Sequence, residues 1–454
     1  MSSVTNLILK AADAEASTCD SQLPAEPWEV DQNSSYGPGA SHGDDFPTAA
    51  PRQGVLPERY TTATPDELDA MVTTARETLG DRVKILGHFY QRDEIVKFAD
   101  FVGDSFNLAQ AAKAHPEAEA FVFCGVHFMA ETADILSQDN QAVILPNLSA
   151  GCSMADMANI SQVEACWEEL SEVLGTNSEA LGTNSEALGT NGDGAEGKDV
   201  DVAAGDVAGH GAIADKAPLI PVTYMNSAAD IKAFCGRNGG IVCTSSNART
   251  VLDWVFERGE RVVFLPDQHL GRNTARAMGI PDEQIIMWHP HLPLGGNTAE
   301  EIRAAKVILW NGFCSVHKRF TVAQIEKARA EFPGVRVVVH PECPAPVVDA
   351  ADVSGSTEVI RREVEASKPG DVIAIGTEIN MVNRLAQQYP DRTIFCLDPV
   401  VCPCSTMYRI HPAYLAYALE SLVDGKVVNQ ITVDESVAEH AKVALERMLA
   451  AKPH

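Results

Sequence analysis

From about residue 80 to residue 400, short apolar, β-branched runs alternate with longer stretches of mixed character. KILGHF, AFVFCG, AVILP, PLIPVTY, GGIVC, RVVFLP, KVILW, RVVVHP, DVIAIG and RTIFCL read as strands. Between them, DEIVKFADFVG, FNLAQAAKAH, ARTVLDWVFERG and TEVIRREVEAS carry the apolar spacing of amphipathic helices. Strands with no polar alternation are covered on both faces. Joined by helices, they predict buried parallel sheets in a layered α/β fold. The chain has 454 residues, enough for about three such domains.

The polar residues that close the strands repeat. His88-Phe-Tyr90 is followed by Gly103-Asp104-Ser105 and then Cys152, and His340-Pro-Glu342 by Gly355-Ser356-Thr357 and then Cys404. The steps are 17 and 47 residues in both cases, from 88 to 105 to 152 and from 340 to 357 to 404. A middle copy, Tyr224-Met-Asn226, Thr244-Ser245-Ser246 and Cys314, is stretched to 21 and 69. Such self-similarity predicts three related α/β units. Parallel units place functional groups beyond the carboxyl ends of their strands, so three units around a pseudo-threefold axis would share a central cavity. Ser105, Ser245 and Thr357 precede helical patterns. They either cap those helices or offer hydroxyls and backbone N–H groups to a carboxylate or phosphate.

Charge changes the picture at two places. The chain carries 35 Lys plus Arg against 63 Asp plus Glu, a net −28. Residues 1–60 contribute −6 (nine acids, three bases) and residues 164–216 contribute −10 (twelve acids, two bases). The first reads as a flexible acidic tail. The second holds the tandem repeat LGTNSEA and reads as a disordered insertion over about 171–216, since one apolar position per heptad cannot form a coiled-coil seam. The domain expectation is then a first repeat over 61–152, a second over 153–314, a third over 315–404, and a helical segment over 405–454 packing on and completing the first. An acidic surface repels phosphate polymers and anionic membranes, and no apolar run is long enough to span a bilayer. The first residues lack the basic start and apolar core of a secretion signal, so a cytoplasmic enzyme is expected.

In that compartment 11 cysteines call for metal, catalysis or burial rather than disulfides. Three thiolates converging on one cavity suit a [4Fe–4S] cluster with one iron open to substrate. Zinc fits less well, because no paired C-x-x-C knuckles are present. Cys124, Cys235, Cys243 and Cys396 lie in or beside apolar runs and read as core, and Cys19 and Cys166 lie in or beside the acidic segments. Cys402-Pro-Cys404 offers two candidates for one ligand. The equal 64-residue steps from His88 to Cys152 and from His340 to Cys404 favour Cys404.

GHFYQRDEI, ADFVGDSFNLAQ, FCGVHFMAETADIL, LPNLSAGCSMADM, VTYMNSAADIKAF, CTSSNA, FLPDQHLGRNTA, WNGFCSVH, HPECPAPVVDAADVSGST and GTEINMVNRLA, in this order, resemble the quinolinate synthase family. The resemblance implies three pseudo-symmetric three-layer αβα domains around one [4Fe–4S] cluster held by Cys152, Cys314 and Cys404, with one open iron. It implies substrate contacts at His88, Ser105, Tyr224, Asn226, Ser245, His340, Glu342 and Thr357, and further active-site positions at Tyr90 and His317. The implied reaction condenses iminosuccinate with dihydroxyacetone phosphate to quinolinate, phosphate and water in de novo NAD synthesis. Glu342 would act as general base, with Tyr90, His88 and His340 moving or donating protons. L-aspartate oxidase or aspartate dehydrogenase would supply the imine. Some members carry C-x-x-C-x-x-C at the third ligand where this chain has Cys396-x5-Cys402-x-Cys404. The rival readings are another cluster-dependent hydro-lyase on a small dicarboxylate, which needs no phosphate donors, and a non-catalytic iron–sulfur sensor.

Overall fold

The computed structural model describes residues 53–176, 216–398, 400 and 403–451. The expected tail as far as residue 52, the LGTNSEA repeat beyond residue 176, Cys19 and Cys402 lie outside the described residues.

The first unit opens with helix α1 (Pro65–Leu79), started by a Thr64–Glu67 capping box, and then strand β1 (Val83–His88). Strand β2 (Phe101–Gly103), helix α2 (Ser105–Ala114), strand β3 (Ala120–Cys124), helix α3 (His127–Leu136) and strand β4 (Ala142–Ile144) follow. Helix α4 (Ile160–Leu174) leads to the second unit. That unit comprises β5 (Ile220–Tyr224), α5 (Ala229–Arg237), β6 (Ile241–Cys243), α6 (Ala248–Arg258), β7 (Val262–Leu265), α7 (Gln268–Ala277), β8 (Ile285–Trp288) and β9 (Val307–Trp310). The third has β10 (Arg336–Val339), β11 (Val353–Ser354), α8 (Thr357–Ala366), β12 (Val372–Gly376), α9 (Ile379–Gln388) and β13 (Thr393–Cys396). Helix α10 (Pro412–Val423), strand β14 (Gln430–Ile431) and helix α11 (Glu435–Ala450) end the described chain.

The three sheets share one strand order: β4-β3-β1-β2, β9-β7-β5-β6 and β13-β12-β10-β11, with parallel neighbours throughout. The second adds β8 beside β9, and the first adds β14 antiparallel to β4. The added β8 and the helix Ala299–Ala304 lie between β7 and β9, which accounts for the longer step from Ser245 to Cys314. Strands buried from end to end, such as AFVFC in β3 and IPVTY in β5, have helices on both faces. Each buried Val, Ile or Phe there contributes about 1.5–3 kcal/mol.

Three expectations need correction. Residues 53–60 belong to the fold rather than to a tail: Leu56 and Tyr60 are buried, and Gln53 Oε1 accepts the Leu148 N–H at 2.8 Å. The insertion begins later than residue 171, because Val163, Cys166, Trp167 and Leu170 keep α4 on the core until Gly175 caps it in the left-handed conformation. Cys166 is thus a core thiol. The C-terminal segment also divides between units. Helix α10 packs on α1 and β14 extends the first sheet, but α11 lies on α5 and β6 of the second unit. A Cβ at Gly236 would sit 1.9 Å from the His440 carbonyl oxygen, so glycine alone permits the approach. Asn247 Nδ2 then donates to the Met448 and Ala451 carbonyls at 3.3 and 3.1 Å, closing the end of that helix.

Candidate active site

The carboxyl ends of all three sheets meet at one cavity of about 660 Å³, its mouth included. His88, Tyr90, Ser105 and Cys152 reach it from the first unit. Tyr224, Asn226, Ser245, Cys314 and His317 reach it from the second unit and its exit, and His340, Glu342, Thr357 and Cys404 from the third. Residues up to 316 positions apart in sequence thus line one space, because each lies at or beyond the carboxyl end of a parallel strand.

The three cysteines sit in the same local structure. A 3₁₀ turn starts three residues after each, at Ala155–Met157, His317–Arg319 and Met407–Arg409. The carbonyls of Cys152, Cys314 and Cys404 accept the N–H of Asp156, Lys318 and Tyr408 at 3.1, 3.0 and 2.9 Å. The N–H groups of Ala155, His317 and Met407 are directed at the three sulfurs, where they favour thiolate. Burial works the other way, pushing Cys152 up to about 12 and Cys314 and Cys404 upward as well. Three half-buried cysteines, each with its sulfur facing donors that welcome negative charge, are the soft donor set that iron–sulfur ligation requires. The residues present fit a three-cysteine cluster. Cys314 also groups with His317 and Glu342, whose ligand atoms lie within 4.8 Å of one another and could hold a metal ion.

Helix capping does not account for Ser105 and Thr357. Asp104 and Ser356 occupy the caps, their side chains accepting the N–H of Asn107 at 2.9 Å and of Val359 at 3.4 Å. Ser105 and Thr357 are the first helical residues, free to face the cavity, and Thr357 Oγ1 and Asn226 Oδ1 are buried without a hydrogen-bond partner among the described residues. Orphaned polar atoms on a cavity wall mark where a ligand completes the hydrogen bonding. Thr357→Val removes a buried hydroxyl that has no partner, so it should not lower stability, while it should weaken substrate binding. Ser356→Ala should lose about 1 kcal/mol of stability. Chemical denaturation compared with KM checks both.

His88 and His340 repeat one geometry. His88 Nδ1 accepts the Tyr90 N–H at 3.1 Å, and His340 Nδ1 accepts the Glu342 N–H at 3.4 Å. Burial lowers both imidazoles to about 3, so they are neutral and Nε2 carries the proton each can donate. His317 stacks on His340 with ring centroids 4.5 Å apart, and its Nδ1 lies 2.7 Å from Glu342 Oε2. Burial alone would raise the Glu342 carboxyl, but His317, His340 and the Tyr224 hydroxyl hold it below the usual carboxylate range. His317 Nε2 is 3.1 Å from Thr377 Oγ1, which is 2.8 Å from the Tyr90 hydroxyl. Tyr90, Thr377, His317, Glu342 and Tyr224 thus form one connected set of proton-bearing groups.

Thr377 is a site residue that strand-end spacing did not single out, and so is Glu378, which caps α9 and accepts the Cys404 N–H at 3.2 Å. A signal for the second existed: Asp267 caps α7 at the same place after the third common strand of its unit. The Cys404 sulfur, 3.3 Å from Thr406 Oγ1, lines the cavity; its competitor Cys402 lies outside the described residues.

Residues 71–450 match the family model described as Quinolinate synthetase A protein. The chain is 62% identical over 418 residues to the quinolinate synthase of Corynebacterium glutamicum, covering 92% of this chain and 96% of that one. It is 46% identical to the enzyme of the same name from Rhodopirellula baltica, covering 90% of this chain and all of that one. The corresponding protein of Acidobacterium capsulatum is 51% identical over 86% of this chain and 95% of its own. Likeness of this extent runs through every strand end that supplies the cavity, and on that ground the chain belongs to the quinolinate synthetase A family.

Proposed function

We propose that this member of an enzyme family of de novo NAD biosynthesis condenses iminosuccinate with dihydroxyacetone phosphate, releasing quinolinate, phosphate and water. The observation that carries the reading is the cavity wall. It combines three sulfurs in matching turns with neutral donors and orphaned polar atoms suited to a dicarboxylate and a phosphate. Cys152, Cys314 and Cys404 would hold a [4Fe–4S] cluster, whose iron without a protein ligand supplies a Lewis acid for a substrate oxygen.

The chain's own residues divide the remaining work. Ser105, Ser245, Thr357 and Asn226 bind carboxylate and phosphate oxygens, aided by the free N–H groups of the helix starts they occupy or precede. His88 and His340 donate from Nε2 to carbonyl or carboxylate oxygens without adding charge. Glu342 takes a proton from carbon. Because His317 and Tyr224 stabilise its ionised form, it acts as the acceptor of a coupled Glu342–His317 pair rather than as an isolated strong base. Tyr90, whose ionisation is opposed by burial and by Glu342, stays protonated and donates to a triose oxygen. The buried walls formed by Phe128, Met129, Met154 and Met407 keep water from the imine. L-aspartate oxidase or aspartate dehydrogenase would supply that imine.

The test is anaerobic purification, counting of iron and sulfide, and an assay for quinolinate with each substrate omitted in turn. Activity should require both substrates and the cluster, fall on exposure to oxygen, and return with iron and sulfide. Full activity of metal-free protein would overturn the reading. Turnover without dihydroxyacetone phosphate would favour a hydro-lyase.

A further inference from the structure

Lys232 has no exposed surface, and neither the cavity nor the fold accounts for its charge. It lies on α5, where the second unit meets α3 of the first, with its ammonium 5.4 Å from the ring of Phe128, a cavity-wall residue. Its Nζ donates to the carbonyl oxygen of Ser227. The Ser227 hydroxyl donates to the Tyr224 carbonyl at 2.9 Å and lies 2.9 Å from Thr223 Oγ1, and the Ser227 N–H reaches the Met225 carbonyl at 2.8 Å. From the other side, Glu131 Oε2 on α3 accepts the N–H of Ala229, the first residue of α5. Both contacts fall at the carboxyl end of the loop that carries Tyr224 and Asn226 into the cavity.

Burying an ammonium and a carboxylate is unfavourable, and apolar side chains of similar volume usually serve packing as well or better. A charge kept at such a place is explained by what its donor holds. We propose that Lys232, balanced by Glu131, is a positioning residue that sets the Tyr224–Ser227 loop, and hence Tyr224 and Asn226, against the substrate. The inference rests on the proposed function for the identity of that substrate. It joins the first unit to the substrate contacts of the second: Glu131 fixes the start of α5, and Lys232 fixes the loop that precedes it. Burial lowers Lys232 to about 8 and raises Glu131 to about 7, and their mutual attraction opposes both shifts.

The experiment compares wild type, Lys232→Met and the double variant Lys232→Met/Glu131→Gln, all cluster-loaded. Iron content, melting temperature, KM and calorimetric binding of quinolinate are measured for each. The single variant leaves the largely buried Glu131 carboxylate without the nearby charge that attracts it and should melt at lower temperature. The double variant is neutral at both positions and should recover that loss. Both should retain iron yet bind quinolinate about tenfold to a hundredfold more weakly, with KM raised in step, the range expected for a lost charge-assisted hydrogen bond. Wild-type affinity and KM in the double variant would overturn the role of Lys232. Failure of the wild type itself to bind or form quinolinate would instead overturn the functional reading, and with it the ligand assigned to this loop.

Discussion

Single replacement of Cys152, Cys314 or Cys404 by Ala is expected to abolish the brown chromophore and bring quinolinate formation below detection, while Cys402→Ala keeps most of both. The reason is geometric. Each of the three cysteines precedes the same 3₁₀ turn, and each sulfur lines the cavity with backbone N–H groups directed at it. The turns remain when a thiol is removed, so the fold should survive and the loss should fall on the cluster. Two remaining thiolates leave too few ligands for a cuboidal cluster, so the effect should be near-complete in all three variants. Iron and sulfide counts with visible absorption, taken on anaerobically purified protein, provide the measurement. If Cys404→Ala kept a full cluster and Cys402→Ala lost it, the third ligand would be reassigned.

Glu342→Gln should leave the cluster intact and lower turnover by about two to four orders of magnitude, the scale of a lost general base. Glutamine preserves the size of the side chain and can still accept from His317 and Tyr224, so the 2.7 Å contact with His317 Nδ1 has a neutral replacement. What it removes is the ability to take a proton. Because the carboxylate is 3% exposed, water cannot substitute readily for it. The decisive comparison is single-turnover quinolinate formation on protein of matched iron content. Near-normal turnover in the Gln variant would take Glu342 out of the proton-transfer role and leave His317 as the base. A variant that lost its iron would point instead to a structural part for Glu342 beside Cys314, in keeping with their closeness.

The sequence by itself determined the layered fold, because runs such as AFVFC and RVVV have no polar alternation and can only be strands covered on both faces. It also determined which polar residues reach the cavity. Parallel strands present their closing residues at one end, so corresponding places in the three repeats became corresponding positions in space even where the middle spacing is stretched, and Ser105, Ser245 and Thr357 line one cavity with His88, Tyr224 and His340. Tertiary structure decided what those residues are free to do. Ser105 and Thr357 face the cavity because Asp104 and Ser356 take the caps, a choice settled by one residue of helix register that strand-end spacing cannot resolve. Thr377 joins Tyr90 to His317 across 287 and 60 positions, and no local pattern encodes such a contact. The last helix went to the second unit because Gly236 lets its backbone come close, whereas the amphipathic pattern of residues 435–450 specifies a buried face but not the surface that covers it. The same limit applies to Lys232. In the chain it is an ordinary helical lysine, and only the packing of α5 among its neighbours in the folded protein takes its charge out of water.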